Sequence, residues 1–242
     1  KARWDRLNEH LHLLASMDDP KHIIAAESLY DLEYLRHYTG IKPLPLFSFS
    51  GFYTQLPGNE YLPKHNEILV FNHWDESITQ STSKFLLKEI RTVYPRYTLA
   101  NLSSHPAIVF FPYSVMSYKF TEIYSLSIPL FVPSMQLMRV KRYVNLDRTS
   151  LSQLYCNNRS LDGEMVAHPN SPHPYSPNLE ADVDAEAESY WMQFSDFYVF
   201  PHITYFDDYT DLGRKLESAD FKSKRDWRKG FACTGGAVPD LS

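Results

Sequence analysis

Apolar residues along this chain fall into short continuous runs separated by stretches with helical spacing. The runs are HIIAA (His22 to Ala26), LPLFSF (Leu44 to Phe49), EILVFN (Glu67 to Asn72), AIVFF (Ala107 to Phe111), IPLFV (Ile128 to Val132) and PHITYF (Pro201 to Phe206). They do not alternate with polar residues, so they predict strands buried on both faces, the mark of a parallel sheet covered by helices. Pro43 and Pro45 mark the second run as an edge strand or a crossing segment.

Helical spacing fills the gaps. Trp4, Leu7, Leu11 and Leu14 share one face of a first helix, broken by Asp18-Asp19-Pro20. Ser28 caps a second helix, SLYDLEYLRHYTG, closed by Gly40. The spacing predicts a helix from Ile78 to Tyr94, with Phe85, Leu86, Ile90 and Val93 inward. MQLMRVKRY, AEAESYWMQFSDFY and a stretch capped by Asp207 or Asp208 and ending near Glu217 predict three more. Residues 156–184 are crowded with Asn, Pro, Ser, His and acids and read as an irregular loop.

The centre of the pattern is Ala107 to Ser134, read as strand, turn, helix, strand. Pro112-Tyr113-Ser114 is the turn, with Ser114 as helix cap and the amides near Ser114 and Val115 aimed at an anion above the strand. Met116, Phe120, Ile123 and Ser127 share one helix face; Ser114, Tyr118, Thr121, Glu122 and Ser125 share the other. From periodicity alone Glu122 reads as a solvated surface acid.

Composition narrows the function classes. The 242 residues are 43% hydrophobic and 22% charged, as in ordinary globular chains, and carry a net charge of −5. That charge argues against a nucleic-acid backbone binder. Cys156 and Cys233 are too few for a metal knuckle or a disulfide scaffold. No apolar run is long enough for a membrane span. Lys1 is not a natural start, so the chain reads as a fragment. Asn101-Leu102-Ser103 and Asn158-Arg159-Ser160 match the glycosylation acceptor pattern and keep a secretory location open. There is no G-x-S-x-G, P-loop or G-x-G-x-x-G. Asp182-Val183-Asp184 has the spelling of a metal-diphosphate motif but sits in the acidic loop, so no metal is expected there. His168 and His173 lack the spacing of metal ligands.

The run Ser114 to Ser134 resembles the donor-site segment of GT-B glycosyltransferases. Many members carry an acid, seven residues, a second acid, and then a small residue, an apolar residue and Pro. Glu122 falls on the second acid, which commonly holds the ribose hydroxyls of the nucleotide, and Pro129 falls on the Pro. Ser114 stands where the first acid would be, and Ser127 where Gly is usual. KHIIAAESLYDLEYLRHYTG resembles the last strand and helix of the N-terminal half of these enzymes, and DFYVFPHITYFDDYTDLGRKL the closing strand and helix.

The resemblance implies an α/β fold with a largely parallel Rossmann-like sheet flanked by helices, of the GT-B C-terminal type. It divides the chain into residues 1–55, the end of the N-terminal half with the crossing segment; 56–155 and 185–230, the nucleotide-sugar domain; the loop 156–184; and a tail, 231–242. It implies metal-independent transfer of a sugar from a nucleotide-sugar, as co-substrate, to a glycan, protein or lipid acceptor. Leaving-group charge in such sites is stabilised by backbone amides and basic side chains. Donor-binding candidates are Glu122, Ser114, Val115, Tyr113, Tyr118, Lys84 and His73; no catalytic base is assigned, and the fragment alone is expected to lack the acceptor half. Two alternatives remain open: a non-catalytic α/β interaction module with a degenerate donor site, favoured by Ser114, and a flavodoxin-like domain for a phosphorylated cofactor.

Overall fold

A computed structural model of the chain describes residues 2–17, 21–46, 50–72, 76–80, 82–141, 166–177 and 185–221. The chain forms two compact units, each discontinuous in sequence.

The first unit comprises Lys1–Ser48, Ser114–Met116 and Val144–Val199. Helix α1 spans Ala2–Ser16 and α2 spans Leu29–Thr39. Helix α2 begins and ends as its sequence dictates. Ser28 accepts a hydrogen bond from the Asp31 amide, and Gly40 turns left-handed at φ 72°. Of the apolar runs HIIAA and LPLFSF, only β1 (Ala25–Ala26) and β2 (Leu44–Pro45) pair, in parallel. The segment 166–177, predicted to be too polar for a core, packs on α2 through aromatic and histidine contacts. His37 and His173 each lie against the buried Trp191 ring, at 5.5 and 4.8 Å between centroids. His173 bridges Glu33 Oε2 and the Tyr190 hydroxyl at 2.8 Å each, and Trp191 Nε1 donates to the Tyr175 carbonyl.

The second unit comprises Phe49–Tyr113, Ser117–Tyr143 and Phe200–Ser242. A short helix, α3 (Gly51–Thr54), precedes five parallel strands: β3 (Glu67–Phe71), β4 (Leu86–Glu89), β5 (Ile108–Phe110), β6 (Leu130–Pro133) and, in sequence after the last residues of the first unit, β7 (Thr204–Phe206). Their order across the sheet is β4-β3-β5-β6-β7. The helices of this unit that follow are α4 (Ile90–Val93), α5 (Leu99–Ser103), α6 (Tyr118–Ser125), α7 (Met135–Lys141) and, after β7, α10 (Tyr209–Ser218); α8 (Ala185–Met192) and α9 (Asp196–Val199) precede β7 in sequence and belong to the first unit. Ile68, Val70, Val109, Phe111, Phe131, Phe206, Leu212 and Leu216 form one buried cluster between the sheet and α10. This is the parallel α/β sheet that unbroken apolar runs predict.

One predicted element is replaced. Ile78 to Tyr94 is not a single helix but a 3-10 turn (Glu76–Gln80), then β4 and α4. Leu86, predicted inward, is exposed, whereas Leu87 is buried. Beta pairing of Leu86–Glu89 with Glu67–Val70 outweighs a helical spacing that the run Gln80 to Lys84, rich in Ser and Thr, supports poorly.

Candidate functional site

In an open parallel sheet, ligands bind beyond the carboxyl ends of the strands, at the point where chain order reverses. Here the first strand of the second unit, β3, has β4 on one side and β5 on the other. A cavity of about 510 Å³ opens at the carboxyl edge of these strands. Phe71 and Asn72 line it from the end of β3, Glu89, Ile90 and Arg91 from β4 and α4, Tyr113 from beyond β5, Lys119 from α6, and Tyr97 completes the wall. The volume suits a small-molecule ligand.

Local sequence explains how the walls are held. Asn72 adopts φ 69°, a left-handed conformation that asparagine tolerates better than most residues. Its Nδ2 donates to the Phe111 carbonyl at 3.0 Å and ties the ends of β3 and β5 together. Glu89 caps α4, its Oε2 accepting from the Thr92 amide at 2.7 Å and from the Thr92 hydroxyl at 3.0 Å. The guanidinium of Arg91 lies 5.2 Å from the Tyr97 ring centroid and donates to the Pro95 carbonyl. The ammonium of Lys119 lies 5.1 Å from the same ring. Two cations thus share one aromatic ring beside the cavity, an arrangement suited to a phosphate or diphosphate next to a planar group.

Glu122 stands one turn along α6 from Lys119 and forms an ion pair with it. Tyr53, on α3, donates to the other carboxylate oxygen of Glu122 at 2.7 Å. Beside that contact Ser50 and Thr121, both buried, share a 2.8 Å hydrogen bond. Burial, offset by the Ser50 hydroxyl and reinforced by Glu122, leaves the Tyr53 phenol above its ordinary pKa. Glu122 is therefore not a free surface acid.

The remaining sequence candidates scatter. Tyr113 lines the cavity. Tyr118 is the first residue of α6 and is exposed. Ser114 is not the helix cap: Ser117 is, accepting from the Phe120 amide, and Ser114 and Val115 lie in the bend before it. Both serines can cap, but only Ser117 places its hydroxyl three residues before an amide of the folded helix. Lys84 precedes β4 at the opposite, amino edge of the sheet, where it donates to the Glu217 carbonyl at 3.1 Å. His73, Asp182 to Asp184, Asn158, both cysteines and residues 231–242 lie outside the described residues. Among the described residues no group of three His, Cys, Asp or Glu is placed to hold a metal. Asn101 is occupied as the capping-box partner of Thr98, and Ser103 of the same triplet is buried.

No family model, curated protein or solved structure gives a significant match to this chain.

Sequence reasoning passed over Arg91, Tyr97 and Lys119. Arg91 and Tyr97 lay in or beyond a predicted helix whose face was misassigned. Lys119 carried no motif; its only signal was its place three residues before Glu122.

Proposed function

We propose that the second unit binds a nucleotide-sugar at the carboxyl edge of its sheet, and that the protein is a GT-B-type glycosyltransferase. In the reaction an acceptor hydroxyl displaces the nucleoside diphosphate from the sugar. The observation that carries this reading is the pairing of Arg91 and Lys119 on the Tyr97 ring beside the cavity, with Glu122 one helical turn from Lys119. Cations would meet the diphosphate while the acid lies within reach of ribose hydroxyls. Ser127 adds support: it adopts φ 61°, the conformation that the glycine usual at this position supplies freely.

Two observations favour other readings. The strand order, with the first strand of the sheet lying second, is also that of flavodoxin-like sheets, which bind a phosphorylated flavin at the same switch point. The engagement of Glu122 by Lys119 and Tyr53 favours a module that has kept the fold and lost the chemistry.

Calorimetric titration with a panel of uridine and guanosine diphosphate sugars, and with flavin mononucleotide, separates the three. Binding of one diphosphate sugar, weakened at least tenfold by Arg91→Met, is the expected result. Tight binding of the flavin alone transfers the site to the second reading. Binding of none leaves the interaction module.

A further inference from the structure

Lys119 occupies a position that two different anions can claim. Its side chain is 28% exposed and lines the cavity, and its ammonium lies beside Tyr97 and pairs with Glu122 on its own helix. A pair of this kind, three residues apart on a partly exposed helix face, holds its cation weakly. A diphosphate carries more charge than one carboxylate and accepts charge-assisted hydrogen bonds from several directions. The four-carbon stem of lysine lets the ammonium move without the backbone. Arg91 differs, because its planar group is held by both the Tyr97 ring and the Pro95 carbonyl.

We infer that Lys119 is an exchangeable cation: a diphosphate in the cavity takes it from Glu122 and thereby frees one carboxylate oxygen of Glu122 to accept hydrogen bonds from the same ligand. This deepens the donor-site reading and rests on it for the identity of the ligand. Two oxygens of Glu122 are held separately. Oε2 faces Lys119, and Oε1 accepts from Tyr53 at 2.7 Å. When Lys119 leaves, the Tyr53 bond still fixes the carboxylate and Oε2 becomes the open acceptor. The exchange couples two recognitions. A ligand with phosphate charge but no hydroxyl pays for moving Lys119 and leaves Oε2 unmatched. A ligand with a ribose diol but no diphosphate finds Oε2 occupied. Only a ribonucleoside diphosphate satisfies both.

The probe is inorganic pyrophosphate, titrated calorimetrically into the full chain. Glu122→Gln removes the competing charge but keeps an acceptor for Tyr53, and is expected to bind pyrophosphate at least threefold more tightly than the wild type. Lys119→Met is expected to bind it at least tenfold more weakly, and Tyr53→Phe about as well as the wild type. Unchanged or weaker binding by Glu122→Gln overturns the exchange, as does unchanged binding by Lys119→Met. If Glu122→Gln fails to fold, NMR of the wild type with 13C-labelled lysine reads the same event: one lysine side-chain signal must move on adding pyrophosphate and be missing from the Lys119→Met spectrum. If pyrophosphate behaves as expected but no diphosphate sugar binds, the exchange stands and the donor reading falls. If diphosphate sugars bind and pyrophosphate affinity ignores Glu122, the exchange falls and the donor reading stands.

Discussion

Tyr53 donates to Glu122 across a 2.7 Å hydrogen bond, and at the same interface Ser50, which immediately precedes α3, is joined to Thr121, one residue before Glu122 on α6. The two contacts differ in exposure: Tyr53 is 45% exposed, whereas Ser50 and Thr121 are buried at 2% each. Ser50→Ala should therefore destabilise the protein more than Tyr53→Phe. We expect about 1–2 kcal/mol for the first and less than about 1 kcal/mol for the second, read from chemical denaturation midpoints.

Ser127 closes α6 in a left-handed conformation, with its amide donating to the Tyr124 carbonyl at 2.9 Å. A side chain there costs about 1 kcal/mol that glycine avoids, partly offset by the greater freedom of glycine in the unfolded chain. Ser127→Gly should leave stability unchanged or raise it by up to about 1 kcal/mol. Ser127→Val should lower it by more than that. Thermal melts of the two variants against the wild type make the comparison.

Asp196 gives the first unit an unusual dependence on pH. Its carboxyl is buried, Oδ2 has no partner among the described residues, and burial, aided by the Asp31 and Glu27 carboxylates, raises its pKa to about 7. The folded state therefore holds a proton that the unfolded state gives up near 3.8. The resulting stability is full below 3.8 and is lost as pH rises through about 7. His37 acts in the opposite sense: burial lowers it to about 4, so its contribution is present above 6.5 and is lost as pH falls. The Asp196 contribution falls between about 3.8 and 7 and is opposed by His37 up to 6.5, so stability of this unit should fall from about pH 6.5 to 7 and level off above it, and Asp196→Asn should remove that fall, gaining on the order of 2 kcal/mol at pH 8. Circular dichroism melts across the pH range test it; an unchanged slope in Asp196→Asn refutes it.

His173 joins the segment 166–177 to α2. It contacts Glu33 and Tyr190 and packs on Trp191, with 4% of its side chain exposed. His173→Ala removes two hydrogen bonds and leaves a void among rings, so a loss of about 2–4 kcal/mol is expected. Glu33 retains Arg36 at 3.6 Å, which limits the effect at that end. Proteolysis within residues 166–177 should accelerate in the variant, and His173→Gln should recover part of the protection.

The sheet was legible because its evidence is local and unambiguous. EILVFN, AIVFF and IPLFV each have too many consecutive apolar residues for an amphipathic helix and too few for a long buried one. Ser28, Gly40 and Asp208 marked real helix ends because caps depend on a single side chain and its nearest amides. The strand Leu86–Glu89 was not legible, because its four residues acquire their conformation from pairing with β3. The segment 166–177 was not legible for the same reason: His173 serves as a packing ring only when Trp191 is beside it. At the candidate site Tyr113 could be reached from its place in the turn after β5, and Glu122 only through the family resemblance, since its spacing alone reads as a solvated acid. Arg91 and Lys119 could not, since nothing in sequence shows that both would meet the Tyr97 ring.

The interleaving of the two units bears on how the protein is made. Val132 of β6 pairs with Tyr205 of β7, yet the chain between them passes through the first unit. On a ribosome the second sheet must wait with the apolar edge of β6 uncovered until β7 emerges. Any nascent chain halted before Thr204 presents that edge to other chains, so stalled or truncated products should be the aggregating species, and a holdase that shields extended apolar segments should improve the yield of full-length protein.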